Sequence, residues 1–164
     1  MAKNAKHEAA IPNLTLKPLS ILVGEWNTVG THPLLPDTLH GHTSFEWLEG
    51  GAFLRMYTEA KEPGVPSAIA IFGSDDATEE YFMLYFDERG VSRKYEATLR
   101  DNIWKLWRNA PGFWQRFTGT FGDNGDTIIG VWELSEDGST WTRDLELTYT
   151  RVKQRTPKEN AAND

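Results

Sequence analysis

The sequence predicts an all-β protein, an antiparallel up-and-down β-barrel of roughly ten strands. Short runs in which apolar and polar residues alternate follow one another from Gly24 to Val152. The chain has 14 Gly and 8 Pro, most of them between these runs, as expected for strands linked by tight turns. No stretch of ordinary helix length separates the strands, which argues against a parallel α/β sheet. A sandwich of two sheets is the alternative architecture.

Composition fits one domain and excludes several classes of function. The chain has 164 residues, with 7 Trp, 8 Phe and 5 Tyr to fill a core. The net charge of -7 argues against binding to nucleic acid or to an anionic membrane, since both need a basic face. The sequence has no cysteine, no apolar leader and no stretch long enough to span a bilayer, so a cytoplasmic location is expected. A homodimer is left open.

Proline divides the beginning of the chain. Residues 1–13 are polar and rich in Ala, and a disordered arm is expected there. A short apolar turn or helix follows, limited in length by Pro18, and should close the lower end of the barrel. Its apolar residues are Leu16, Leu19, Ile21, Leu22 and Val23.

The first strand should run from Gly24 to about His32. Because side chains alternate between the faces of a strand, one face should carry Trp26, Thr28, Gly30 and His32. The next segment, 33–37, contains Pro33 and Pro36 and cannot continue the strand. We expect it to form a stiff apolar flap over the other end of the barrel.

Two tight turns set the registers of four strands. Gly50-Gly51 favours a type I′ turn between runs 39–48 and 52–60, and Asn124-Gly125 is the strongest hairpin signal in the chain. Inside the barrel, the expected cross-strand pairs are Trp47 with Leu54, Phe45 with Met56, Phe121 with Ile128, and Phe117 with Trp132. Outside, they are Glu46 with Arg55 and Arg116 with Glu133.

The remaining strands should cover residues 67–73, 80–87, 91–100, 103–109 and 140–152. A turn at Gly90 sets Met83 and Tyr85 opposite Arg93 and Tyr95, and Tyr95 opposite Arg108. The last strand follows Asp137-Gly138 and alternates over its whole length. One face should therefore carry Trp141, Arg143, Leu145, Leu147, Tyr149 and Arg151. Residues 153–164 form a polar tail, so the domain should span 14–152.

Three stretches carry a resemblance to a known family: Gly24-Glu25-Trp26, Gly30-Thr31-His32-Pro33 and Leu147-Thr148-Tyr149-Thr150-Arg151. The chain resembles an uncharacterised bacterial family of lipocalin-like domains over residues 14–152. That family is similar to the calycin group of lipocalins, fatty-acid-binding proteins and nitrobindins. The resemblance implies a barrel that holds a small hydrophobic or amphipathic molecule. No haem or other cofactor is expected, because the histidines, His7, His32, His40 and His42, lie too early for the late-strand haem ligand of nitrobindins.

Trp26 and Arg151 are candidates for closing the barrel floor. In a closed meander the last strand runs antiparallel to the first, so its end lies beside Trp26 and a cation–π pair can form. Lipocalins similarly place an Arg near the end of the chain against the floor. The alternative is that Arg151 binds ligand.

The early histidines suggest a metal site, because imidazoles two residues apart on a strand share a face. The registers oppose it: with Phe45 and Trp47 inside, His40 and His42 lie outside, whereas His32 follows Trp26 inward. We therefore predict solvated histidines and no metal.

The most informative set lies at the end of the barrel opposite Trp26. Arg93, Arg108 and Arg143 should point inward there, joined by Tyr85, Tyr95, Gln115 and His32. A buried Arg without a partner is costly and needs an anion or several acceptors. The alternative is that these arginines extend into water at the rim or pair with Asp87 and Glu136.

These observations predict binding of a small amphipathic ligand inside the barrel, with an anionic head group received by the arginines. Its apolar part would lie among Trp47, Met83, Leu106, Phe117 and Trp132. A second hypothesis is an enzyme in the same cavity, with Tyr85, Tyr95 or His32 as general acid–base and an Arg stabilising an oxyanion. A third is an interaction module whose barrel is too full to admit a ligand.

Overall fold

The computed structural model describes residues 10–153, which form ten antiparallel strands closed into one up-and-down barrel. Each strand pairs with its neighbours in sequence, and β1 also pairs with β10. The predicted fold class is confirmed, and the closed sheet rules out the sandwich. The strands are β1 Gly24–Thr31, β2 Leu39–Leu48, β3 Phe53–Ala60, β4 Ala68–Ser74, β5 Tyr81–Asp87, β6 Ser92–Arg100, β7 Ile103–Ala110, β8 Phe113–Gly122, β9 Thr127–Ser135 and β10 Thr142–Arg151.

The lower end of the barrel is closed by a 3-10 helix, Leu14–Leu22. Its leucines at 16, 19 and 22 are at most 1% exposed, and their spacing matches the three residues per turn of this helix type. Pro18 has no N–H to donate to the Thr15 carbonyl one turn earlier, and the Tyr81 hydroxyl donates to that carbonyl instead. Within the described residues, no helix has the length and apolar character needed to cross a membrane.

The residues just before the helix contact the barrel. The Asn13 N–H donates to the Gly51 carbonyl at 2.9 Å, its side chain accepts from the Thr15 N–H, and its amide donates to the Ser74 hydroxyl at 3.0 Å. The predicted disordered arm therefore differs from the structure at Asn13, which caps the helix. Residues 1–9 of that arm and 154–164 of the predicted tail lie outside the described residues.

The registers predicted from the turns are confirmed. Phe45 pairs with Met56, Met83 with Tyr95, and Phe117 with Trp132. The β2–β3 and β8–β9 loops span four residues rather than two, with positive φ at three consecutive positions in each, 49–51 and 123–125. Because each loop is longer by one residue on both sides, every cross-strand pair stays in place.

β10 departs from the prediction near its beginning. Arg143 pairs with Glu133 but Glu146 pairs with Val131, so β10 contains one extra residue, a β-bulge. Arg143 consequently lies on the outer face, where its guanidinium donates to Glu146 at 2.8 Å. The predicted inward positions of Arg143 and Trp141 are wrong, because the Trp141 ring lies 3.9 Å from the outward guanidinium of Arg116. The predicted alternation assumed no bulge.

Aromatic rings fill the lower half of the barrel. The Trp104 ring centroid lies 4.8 Å from that of Phe117, 6.0 Å from that of Phe45 and 6.2 Å from that of Phe72. All four side chains are at most 2% exposed. These rings form a closely packed layer between the helix and the opposite end of the barrel interior.

Candidate ligand-binding cavity

A cavity of about 260 Å³ lies in the barrel, above the aromatic core and toward the end opposite the helix. Most of its wall is apolar, formed by Leu39, Met56, Ala60, Val65, Pro66, Met83, Trp104, Leu106, Phe117, Trp132, Leu145 and Leu147. Polar side chains complete the wall: Thr28, His40, Thr43, Thr58, Glu59, Tyr85, Arg93, Tyr95, Gln115, Asp144 and Tyr149. Such a wall suits a molecule that is mainly apolar and carries a few polar groups.

The structure brings most of the predicted ligand-binding residues to this wall. Those that line the cavity are Met83, Tyr85, Arg93, Tyr95, Leu106, Gln115, Phe117 and Trp132. Those that do not are His32, Trp47, Arg108 and Arg143. Trp47 lies too far toward the floor, where it pairs with Leu54 and packs against the core. Arg143 is turned outward by the bulge, so it cannot reach the cavity.

Arg108 lies opposite Gln115, on the inward side of β7, but beyond the cavity wall. Its Nε is buried and has no hydrogen-bond partner among the described residues. Of the three predicted arginines, Arg93 is thus the one that lines the cavity. Its guanidinium lies 5.2 Å from the centre of the Phe113 ring, and it forms no ion pair within residues 10–153.

Two tyrosines near the open end are held by hydrogen bonds. The Tyr95 hydroxyl donates to the Gln115 amide oxygen at 2.8 Å, and the Tyr85 hydroxyl donates to the Asp87 carboxylate at 2.9 Å. Burial, together with the hydrogen bond to Asp87, raises the pKa of Tyr85 to about 12. Burial also raises the pKa of Tyr95, although the guanidinium groups of Arg93 and Arg108 oppose that rise. Both hydroxyls are therefore protonated at neutral pH.

Asp144 enters the cavity wall because of the bulge in β10. One carboxylate oxygen, Oδ1, lies 2.8 Å from Nε2 of His32. The Leu34 N–H donates to the other ring nitrogen of His32 at 3.0 Å, so Nδ1 is an acceptor and Nε2 carries the proton donated to Asp144. His32 thus holds the Asp144 carboxylate through Nε2, and its Nδ1 is occupied by the Leu34 N–H.

The loops at the open end are arranged differently from the predicted flap. Leu34 is 84% exposed and Leu35 49% exposed, and neither lines the cavity. Val65 and Pro66, from the β3–β4 loop, cover part of the cavity instead. The Pro-rich segment after β1 therefore acts through the Leu34 N–H that holds His32 rather than through its apolar side chains.

Trp26 and Arg151 meet at the floor. The guanidinium carbon of Arg151 lies 4.2 Å from the centre of the Trp26 ring, and the indole N–H donates to the Leu22 carbonyl at 2.8 Å. Arg151 also donates to the carbonyls of Val23 and Ile21, both at 2.6 Å. One side chain thus ties the last strand to the end of the helix, and it is remote from the cavity.

The other histidines pair with acidic side chains. His42 Nε2 lies 2.9 Å from the Glu25 carboxylate, and His40 Nδ1 lies 3.4 Å from that of Glu62. In the part of the chain that is described, no group of three or more His, Asp or Glu residues is arranged to hold a metal ion. His7 lies outside that part.

Several cavity residues had no place in the predicted site. Thr28, Leu147 and Tyr149 were expected inside by alternation, so the same signal could have assigned them to the wall. Asp144 had no such signal, because alternation puts it outside. Only the bulge turns its side chain inward.

Together, the fold and the cavity define a closed antiparallel β-barrel that is shut by a helix at one end and has a cavity toward the other. This architecture is compatible with ligand binding. Solved structures with a similar fold include the two described below, whereas no protein family and no curated protein matches the sequence.

The first is Rv2717c from M. tuberculosis, with a TM-score of 0.58 and 15% identity, covering 85% of this chain and 98% of that chain. The second is the S-type phycobiliprotein lyase CPES from Guillardia theta, with a TM-score of 0.58 and 12% identity, covering 85% of this chain and 93% of that chain. At these identities the similarity shows the fold alone.

Proposed function

We propose that the protein binds a small amphipathic molecule in the barrel cavity. The observation that carries this proposal is the 260 Å³ cavity itself, whose mainly apolar wall includes an arginine with no ion-pair partner in the described chain. Binding sites for small molecules combine such apolar walls with a few polar groups that fix the orientation of the ligand. The interaction-module hypothesis needs a filled barrel, and the cavity argues against it.

The wall suggests how the ligand lies. Its apolar part would contact Met83, Leu106 and Phe117, which are buried beside the aromatic floor. Its polar end would point toward the open end, where Arg93 and Asp144 lie. An anionic group can meet Arg93 there, although the cluster of three inward arginines expected from the sequence is not formed.

The enzyme hypothesis has less support. Tyr85 and Tyr95 have raised pKa values and would be poor bases at neutral pH. Both nitrogens of His32 are occupied by Asp144 and by the Leu34 N–H. One similarly folded protein is named a lyase, but that likeness concerns the fold. The geometry therefore favours binding.

Two measurements test the proposal. Native mass spectrometry of the protein purified from its own host should show a mass that falls after denaturing extraction. Titration with N-phenylnaphthylamine, a neutral fluorescent probe, should show saturable binding. The variant Ala60→Phe, at the cavity wall, should weaken that binding by about ten-fold or more, because the added ring occupies ligand volume. Thr150→Phe, on the exposed face of β10, is the matched control.

The proposal is wrong if the purified protein carries no small molecule and the probe fails to bind. It is also wrong if Ala60→Phe and Thr150→Phe bind the probe equally well. The second result would place the probe on the outer surface.

A further inference from the structure

We propose that Asp144 is a head-group contact, and that the cavity selects ligands whose polar end carries a cationic or N–H donor beside an anionic or carbonyl acceptor. This inference rests on the proposed binding function. It names the class of ligand: a zwitterionic or amide-like head group on a short apolar body, rather than a simple fatty acid.

The first support is the way the chain turns Asp144 inward. β10 alternates regularly from Leu147 to Arg151, and the extra residue between Arg143 and Glu146 breaks that alternation. A regular strand would present Arg143 to the interior and Asp144 to solvent. The bulge therefore places the negative charge of Asp144 at the cavity, where a regular strand would place the positive charge of Arg143. Bulges commonly re-aim side chains at functional sites.

The second support is the state of the carboxylate. His32 binds Oδ1, and Oδ2 has no hydrogen-bond partner among the described residues. The Asp144 side chain is 29% exposed, so it is partly removed from water at the cavity wall. A carboxylate held at one oxygen by a fixed donor can offer its other oxygen to a ligand without reorganising.

The third support is the position of the opposite charge. Arg93 and Asp144 both lie near the first residue of their strands, and both strands begin at the open end of the barrel. Around the closed sheet, β9, β8 and β7 separate β10 from β6, so the two side chains lie on facing walls. Each lines the cavity, and they form no ion pair with each other. A head group that carries both charges therefore finds a side chain of opposite charge on each of the two walls.

Arg93 and Asp144 are the main charged contacts that the wall offers to a ligand, because the other ionisable groups are either hydrogen-bonded within the protein or exposed at the rim. Tyr85 and Tyr95 are neutral and already hydrogen-bonded to protein groups. His40 and Glu59 also line the cavity, but both are exposed at its rim. Water competes for these exposed groups more strongly than for the partly buried Asp144 carboxylate.

The competing explanation is that the Asp144–His32 contact merely clasps the segment after β1 to β10. Asp144→Asn separates the two roles, because the Asn side-chain oxygen still accepts from His32 while the negative charge is lost. A clasp alone would tolerate this change. A head-group contact would not, since a charge-assisted hydrogen bond to an ammonium would become a weaker neutral one.

The test compares ligands that share one apolar chain: octanoic acid, octylamine and α-aminooctanoic acid. Each displaces N-phenylnaphthylamine at about pH 7, where the amino acid is a zwitterion. The parent protein should bind α-aminooctanoic acid about ten-fold or more tightly than octanoic acid. Asp144→Asn should remove that preference and leave octanoic acid binding unchanged. Glu146→Gln, on the outer face of the same strand, should keep the preference.

Three results would overturn the inference: parent protein that binds octanoic acid as well as α-aminooctanoic acid, an Asp144→Asn variant that keeps the preference, or one that weakens all three ligands equally. The second result would identify a clasp, and the third a general change in the shape of the cavity. The proposed function itself fails if the parent does not bind the probe or if Ala60→Phe and Thr150→Phe bind it equally well, and neither result involves Asp144, so the two failures are distinguishable.

Discussion

Arg151 does more than stack on Trp26. Its guanidinium donates to Ile21 and Val23 at the end of the helix, and to the Gly125 carbonyl at 3.1 Å and the Asp126 carboxylate at 3.1 Å in the β8–β9 turn. A planar group with five donors can serve such a divergent set of acceptors, whereas a lysine ammonium cannot. This side chain therefore joins three segments that are distant in sequence.

We predict that Trp26→Ala lowers the free energy of unfolding by about 3 kcal/mol or more, because Trp26 is fully buried and its removal leaves a cavity. Arg151→Ala should cost about 1–3 kcal/mol, since carbonyls that it now satisfies would lose their donor. Arg151→Lys should recover less than half of that loss. Urea unfolding with an unchanged m-value is the measurement. Parent-like midpoints for both alanine variants would mean that the floor is held by other contacts.

Residue-level features could be predicted where alternation holds. Trp26, Phe45 and Phe117 were expected inside and are buried. The positions of Arg143 and Asp144 could not be predicted, because a bulge without Gly leaves no mark in the hydrophobic pattern. Whether Trp47 reaches the cavity could not be predicted either, because alternation gives the face of a strand but not the height of the void.

Two turns at the open end of the barrel each contain a glycine in the left-handed region. Gly138 lies in the β9–β10 connection with φ of 77°, and the Ser135 hydroxyl accepts from its N–H at 2.8 Å. A Cβ at this position would lie 2.9 Å from the Trp114 ring. Gly90, in the β5–β6 turn, has φ of 79° and no atom within 4 Å of such a Cβ.

We predict that Gly90→Ala costs about 1–2 kcal/mol, the strain of a left-handed residue with a side chain. Gly138→Ala should cost measurably more, because the same strain is joined by the contact with Trp114. The comparison requires thermal or urea unfolding of the two variants side by side. Equal losses would show that the Trp114 ring moves aside freely.

At the scale of the elements, most of the sheet could be predicted from the sequence. Gly50 and Gly125 marked two hairpins whose registers match the structure, even though both loops are longer than predicted. The helix type could not be foreseen, because Pro18 permitted either a turn or a helix. The leucine spacing of three residues was visible, but short apolar runs do not distinguish between helix types.

At the scale of the whole molecule, the barrel buries the phenol groups of four tyrosines. Burial raises the pKa of Tyr81, Tyr85, Tyr95 and Tyr149, and Tyr149 lies within the aromatic core. Each of these groups binds its proton more tightly in the folded state than in the unfolded state. The folded protein therefore carries more protons than the unfolded chain once the pH exceeds about 10, the ordinary pKa of tyrosine.

We predict that the free energy of unfolding is insensitive to these tyrosines below about pH 10 and falls as the pH rises above it. The four hydroxyls should ionise late in a spectrophotometric titration, and their ionisation should coincide with the loss of near-ultraviolet circular dichroism. Tyr149→Phe should make the alkaline fall in stability shallower, once compared with its own stability at neutral pH. If absorbance shows all tyrosines ionising near pH 10 in the folded protein, the burial argument is wrong.

The pairing of β1 with β10 also has a consequence for how the protein is made. A ribosome delivers β1 early, yet one edge of β1 has no partner until β10 has emerged. Until then the nascent chain is an open sheet with two unpaired edge strands. Such edges can pair with another chain, so this is the state most prone to aggregation. β10 also carries Arg151 at the floor and Asp144 at the mouth. The pairing of β10 with β1 therefore closes the sheet and completes both the floor of the barrel and the opening of its cavity in one step.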